Sequence, residues 1–390
     1  MTALWVYAAT RLWATRVPGD LHLPHVAPRS LLSAHDLDEA RSFDRFIRFE
    51  FVASKIALIA ALVWYARNGL RFARESAAGR IGTGMLLAML GLAIVWIVQF
   101  PFRLAGHWWA RKHGIAEQGY LEWLLGDWFS LGGRFVFVCA GIVIVMGLAG
   151  PLKRFWWVAA VPVVAGLALL FALASPYLTP NLERLSNPAL AADARELARQ
   201  ESVPGTPVSV MKVRDFTSAP NAGALGFGPS RRVVLFDTLV DSFPRREVKV
   251  VVAHELGHIT RGHAWKRIAF LALLVLPGAA IVEAVTRQRG GLRAPRAIPL
   301  ALLVVAVLQL AALPLDNAFS RRLEAEADWV ALQTTRDPVA ARSLFARFGR
   351  EAHDDPAPPG WAVALLGDHP SLTRRVAMAE AWQERQASAR

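Results

Sequence analysis

Apolar residues along this chain collect in blocks and do not alternate with polar ones at a short period. A run of about 17–25 apolar residues with few charges is long enough to cross the hydrocarbon core of a membrane. Six blocks approach or meet that length: Phe51–Tyr65 with its flanks, Ile81–Phe102, Phe135–Gly150, Trp156–Tyr177, Ile268–Val285 and Ala297–Leu315. Lys55, inside the first block, could reach the interface only by snorkelling. Residues 2–15 (TALWVYAATRLWAT) are apolar and aromatic but short, with Arg11 in the middle, and read as an interfacial or truncated first span. They lack the basic start and small-residue cleavage site of a signal peptide.

Two polar regions interrupt the blocks, 178–267 and 317–390. An even number of spans lies between them, so both emerge on one side of the bilayer and can build one site. The expected organisation is a membrane region 1–177, a catalytic region 178–267, two further spans in 268–316 and a catalytic C-terminal segment 317–390. In the first polar region, Asn181–Gln200 has helical composition, and VSVMKV and VVLF read as short strands between Gly and Pro punctuation. Pro244 suits the first turn of a helix. The valines that follow, Val248 and Val250–Val252, favour strand instead.

Composition agrees with the block pattern. The chain has 54% apolar and 19% charged residues, against about 45–50% and about 25% in a soluble domain, and a mean hydropathy of +0.32. A net charge of +13 accompanies arginines dispersed through loops and no recognisable nucleic-acid module, so basic membrane flanks explain it and no nucleic-acid partner is expected. Charge near the spans is too evenly shared between the two faces to orient the chain. The single cysteine, Cys139, lies in a block and excludes an intramolecular disulfide.

The chemistry concentrates in KVVVAHELGHITRGH, residues 249–263. On a helix, His254 and His258 point the same way one turn apart and can share one tetrahedral ion. Glu255, rotated about 100° from His254, is placed to take a proton from a water activated by that ion. A random chain of this composition shows His-Glu-x-x-His on the order of once per hundred sequences, so a third ligand matters. DNAFSRRLEAEADWVAL, residues 316–332, offers Glu324 as that ligand and Asp328, on the same face, as acceptor for a histidine N–H. Glu326 lies about 200° round. The plainer reading is a solvated helix with pairs such as Arg322 with Glu326.

HELGH followed by SRRLEAEAD after two apolar segments closely resembles the integral-membrane gluzincins typified by the type I CAAX prenyl endopeptidase. FPFRLAGHWWARKHGIAEQGYLEWLLGDW (100–128) is similar to that family's loop between spans, SAPNAGALGFGPSRRVVLFDTLV (218–240) to its strand element, and HPSLTRRVA (369–377) to its C-terminal His-Pro segment. The resemblance implies a mainly α, polytopic membrane fold of six to seven spans enclosing a chamber, with a zincin-like α+β catalytic part carrying a small sheet. It implies one catalytic Zn2+ on His254, His258 and Glu324, with Glu255 as general base. Asn221 and Ala222 would lie on a sheet edge where a substrate peptide adds as a strand. His369 and Arg375 would act as donors to the substrate carbonyl or oxyanion, although Arg374 could stand in for Arg375. His263 matches a family position without an assigned role.

The expected activity is hydrolysis of membrane-associated peptides or proteins by a monomeric, multi-pass enzyme of a bacterial cell membrane, with the catalytic side cytoplasmic by resemblance. Two alternatives stay open: a membrane-protein quality-control protease similar to HtpX, and a non-catalytic scaffold stabilised by zinc. A structural zinc would have no use for Glu255 and would take four protein ligands.

Overall fold

The computed structural model describes residues 2–73 and 78–388. Its helices run α1 Thr2–Leu12, α2 Ala34–Asn68, α3 Leu70–Ala73, α4 Gly79–Lys112, α5 Tyr120–Leu152, α6 Trp156–Leu178 and α7 Pro188–Gln200. They continue as α8 Asp237–Ser242, α9 Arg245–Thr260, α10 His263–Thr286, α11 Ile298–Thr335, α12 Pro338–Glu351, α13 Gly360–Leu365 and α14 Leu372–Ser388. Four short strands complete the fold: β1 Leu182–Arg184, β2 Val208–Met211, β3 Ala222–Leu225 and β4 Arg232–Phe236.

Among the described residues, four helical runs are long and apolar enough to cross a membrane: Gly79–Lys112, Tyr120–Leu178, His263–Arg289 and Pro295–Thr335. The second run holds two of the expected blocks, α5 and α6, separated where Lys153 takes a positive φ of 51°. The remaining block, Phe51–Tyr65, lies within α2. The far ends of these helices are tied together by a cluster that includes Leu87, Met146, Trp156, Val282 and Ile298. There the Trp156 indole donates to Glu283 at 2.8 Å and the Tyr65 hydroxyl to the Leu87 carbonyl at 2.6 Å.

Two local expectations need correction. The 100–128 stretch is not a loop: α4 continues to Lys112 and α5 starts at Tyr120, leaving only 113–119 as a turn. Helical hydrogen bonding runs on beyond the apolar blocks because the flanking aromatic residues pack on each other, as with Trp109 on Phe46 and Trp123 on His107. Asn181–Gln200 is not one helix, since Leu182–Arg184 pairs as β1 and the helix starts at Pro188, capped by the Asn187 side chain. Residues 2–15 form an eleven-residue helix; at about 1.5 Å per residue it spans about half of a roughly 30 Å core. It lies against α10.

The sheet order is β1-β2-β4-β3, with β2 and β4 parallel and the outer strands antiparallel to their neighbours. β3 is therefore an edge. Its turn into β4 depends on Gly226, with φ +84°, where a Cβ would meet the Ser230 carbonyl oxygen at 2.4 Å. On the approach to β3, Thr217 and Ser218 donate to the Ile115 and Gly114 carbonyls and anchor the sheet to the α4–α5 turn. The main core, built from Val233, Leu235, Val252, Leu256, Trp329, Leu344 and Val376 among others, lies where the sheet, α7, α9, α11, α12 and α14 meet.

Candidate active site

The valine run belongs to a helix. Val248, Val250, Val251 and Val252 all fall in α9 and are buried. β-branching costs a helix at most about 0.7 kcal/mol per residue, whereas burying a valine side chain gains about 1.5 kcal/mol or more; the core decides. α9 begins after Pro244, and Glu247 in its first turn is held by Ser343 at 2.6 Å and Arg347 at 2.9 Å. Gly257 then lets α9 approach α11 closely, since a Cβ there would stand 3.3 Å from Val330.

That approach brings two histidines and a carboxylate together. His254 Nε2 lies 3.2 Å from Glu324 Oε2, His258 Nε2 lies 3.5 Å from the same oxygen, and the two imidazole nitrogens are 3.0 Å apart. Donors bound at about 2.0–2.1 Å on the corners of a tetrahedron stand about 3.3 Å from one another. Among the described residues these three form a group whose donor atoms fit one metal ion. Three donors leave a tetrahedral ion one further position.

Around the triad the side chains are oriented by hydrogen bonds. His254 Nδ1 meets Asp328 at 2.8 Å, and Arg375 grips Asp328 with two bonds of 2.9 and 2.7 Å. His369 Nε2 lies 3.2 Å from Glu324, and its Nδ1 lies 2.9 Å from Asp368. Burial alone would lower the His254 imidazole, but its bonds to Asp328 and Glu324 outweigh that and raise it from its ordinary 6.5 to about 10. For His369 burial is likewise outweighed, by Asp368 and Glu324, and the ring rises to about 9. Two imidazoles drawn toward the protonated state by surrounding carboxylates mark a pocket of negative potential, which a cation relieves.

Each site residue expected from the sequence lines one of two adjoining cavities. Ala222, Glu255, His258, Glu324 and His369 line one of about 380 Å³; Asn221, His254, Asp328 and Arg375, with Ala222, Glu255 and His369 again, line the other. Arg374 does not share this position, and borders a separate cavity with Trp13 and Arg321. The solvated-helix reading of Glu326 is overturned. Glu326 is fully buried and accepts from Arg261 and Lys266 at 2.8 Å each, while Arg322 donates to the Trp13 carbonyl.

His263, unassigned from sequence, is 1% exposed and links the two networks. Its Nδ1 lies 2.8 Å from His258 Nδ1 and its Nε2 3.2 Å from Glu326. Sequence reasoning missed this chain because its members come from α9, α10 and α11; the one local signal was a third histidine five residues after His258.

Residues 184–383, just over half of the chain, match Peptidase family M48, and the chain belongs to that family. It is a metalloprotease with membrane-crossing helices. It is 25% identical over 301 residues to the uncharacterized metalloprotease YhfN of Bacillus subtilis (strain 168), covering 74% of this chain and 71% of YhfN. It is 28% identical over 266 residues to a protease HtpX homolog of Kineococcus radiotolerans, covering 62% of this chain and 85% of that protein. In fold it is similar to the crystal structure of S. mikatae Ste24p, with a TM-score of 0.77 over 97% of both chains at 16% identity. The expected fold class, a mainly helical membrane protein with a small sheet, is the one observed.

Proposed function

We propose that the protein is a zinc endopeptidase in which His254, His258 and Glu324 hold the ion. The observation that carries this reading is the near-tetrahedral spacing of their donor atoms, 3.0, 3.2 and 3.5 Å apart. Zinc, when bound, supplies Lewis acidity toward a water and a peptide carbonyl. Glu255, at the cavity wall, accepts the proton of the attacking water and delivers it to the departing amine. Asp328, fixed by Arg375, holds His254 in one tautomer with Nε2 free toward the ion. Arg375 thus acts mainly through Asp328, and His369 is the donor left facing the carbonyl oxygen. Asn221 and Ala222 open the edge strand β3, where a peptide backbone can pair without regard to its side chains.

The substrates are membrane-associated peptides or proteins, and the enzyme acts as a monomer in a bacterial cell membrane with the site on the cytoplasmic side. Likeness to a protease HtpX homolog supports a second reading of the substrates, damaged membrane proteins, by the same chemistry. A zinc-stabilised scaffold is disfavoured by a three-residue donor set with a carboxylic acid beside it. Purified Glu255→Gln protein is expected to keep its metal and its melting temperature but lose peptide cleavage by about 10²-fold or more; undiminished cleavage would sink the proposal. Comparing membranes that carry the native enzyme with membranes that carry Glu255→Gln then separates the substrate readings by what accumulates.

A further inference from the structure

A separate cavity, of about 620 Å³, is bordered by Pro370 and Ser371, the residues that follow His369. Its walls come from the N-terminal residues Trp13–Leu23, from α11 at Ala318–Ala325 and from the start of α14. Three arginines, Arg321, Arg322 and Arg374, border it, and none of its lining residues is acidic. Arg321 donates to the Val363 and Gly367 carbonyls, and Arg322 donates to the Trp13 carbonyl with its guanidinium 5.7 Å from the Trp13 ring. Carbonyls and an indole satisfy N–H groups and hold them in place, but they do not neutralise charge. Among the described residues none of the three has a carboxylate at ion-pair distance, and Arg374 is exposed and close enough to Arg321 for the two charges to repel. Asp368, whose charge also reaches Arg321, is already bonded to His369.

Position narrows the ligand. Leu315, 45% exposed, ends the apolar part of α11, and Arg322 follows seven residues later, about 10 Å along the axis. A headgroup layer is about 5–8 Å deep on each side of the hydrocarbon, and an arginine side chain reaches back several ångströms. α1, which leads into Trp13, packs against the span α10, and the Trp13 ring sits 6.0 Å from that of Phe319. The arginines therefore stand at headgroup level, while Val17, Leu21, Leu23 and Met378, which pack with the main core, line another wall of the cavity. Planar guanidinium forks match the oxygens of a phosphate.

We propose that this cavity binds a phosphate group, supplied by the headgroup of an anionic glycerophospholipid. The proposal does not depend on the reading of the metal site. The test uses the full chain in a zwitterionic detergent with water-soluble dioctanoyl lipids, followed by native mass spectrometry and thermal unfolding. Dioctanoyl phosphatidylglycerol is expected to bind at least tenfold more tightly than dioctanoyl phosphatidylcholine and to raise the melting temperature. Arg322→Gln with Arg374→Gln should weaken that binding at least tenfold. Arg374→Gln alone, on an exposed side chain, should weaken it about threefold, and Arg374→Lys should restore most of the loss; this pair covers failure of the double variant to fold. Inorganic phosphate that binds as tightly and competes would support the phosphate site and assign its source to free phosphate. Equal binding of the two lipids, or unchanged phosphatidylglycerol binding by a folded arginine variant, would overturn the proposal.

Discussion

The last turns of α11 carry two buried glutamates that face opposite ways and are satisfied by different means. Glu324 points to α9 and meets three imidazoles whose charge is conditional, His254, His258 and His369, with one fixed cation, Arg267, farther off at 3.6 Å from its other oxygen. Glu326, two residues on, points to α10 and meets Arg261 and Lys266, whose charges are fixed, besides His263 and the Arg16 amide. The first arrangement can exchange protons for a metal ion. The second cannot, because two permanent cations already compensate it. Helix α11 thus separates a carboxylate available for chemistry from one that fastens the start of α10 to the catalytic core, and the difference lies in the partners, not in the acids.

Breaking each side should give a different loss. The largest is expected on the metal side: Glu324→Ala removes one of three protein ligands and should abolish stoichiometric zinc, measured by metal analysis, together with at least about 10³-fold of peptide cleavage. On the other side, Glu326→Gln leaves Arg261 and Lys266 without their buried partner, a class of change that costs about 3–5 kcal/mol. A fall in unfolding free energy of that size is expected, with zinc still bound in whatever protein folds. Glu326→Gln protein as stable as the native chain would show that α10 is fastened elsewhere.

A third buried acid sharpens the contrast, because it has neither a metal site nor a fixed cation. Glu201, at the end of α7, is 5% exposed, and the Thr334 hydroxyl is the hydrogen-bonding neighbour that partly offsets its burial. Burial pushes it up from its ordinary 4.5 to about 8. The folded state then holds a proton that the unfolded state has released, between about pH 4.5 and 8. Stability from this group is full below that window and falls as pH rises through it, by up to about 1.4 kcal/mol per pH unit. Thermal unfolding of native and Glu201→Gln protein at pH 5, 6 and 7 should show the variant gaining on the native chain by about 2–3 kcal/mol in total. Parallel pH profiles would place the charged carboxylate in a solvated setting.

These three acids also mark what was legible beforehand. Glu324 could be picked out because His-Glu-x-x-His demands a third ligand, and residues four apart on a helix single out Glu324 with Asp328. Glu326 was misread because its nearest sequence partner, Arg322, offered a local pair, while its actual partners lie about sixty residues away on α9 and α10. Glu201 gave no sign at all, since a glutamate near a helix end looks solvated until tertiary packing covers it. The same divide runs through the fold. The apolar blocks marked the long helices, but not how far those helices extend past them at 100–128. β3 was named as an edge by resemblance; its own residues, Ala-Gly-Ala-Leu, have little strand propensity and pair because Gly226 turns the chain back onto β4.

The smallest effects should come from the side chains that orient the histidines, and they test whether the two faces of α11 are coupled. His254 is oriented from the metal face by Asp328, and His258 from the opposite face, through His263 and Glu326. Losing a partner of this kind lowers metal affinity by about 10–100-fold. Asp328→Asn also frees Arg375 beside the site, so it should lie at the upper end of that range. His263→Gln, which retains a hydrogen-bonding side chain and leaves Glu326 paired with Arg261 and Lys266, should lie at the lower end. Zinc competition with a chelator, read by the free-metal concentration at half release, ranks the two without reference to turnover. If His263→Gln leaves zinc affinity unchanged, the Glu326 network is a fastening for α10 only, and the metal face is oriented from one side.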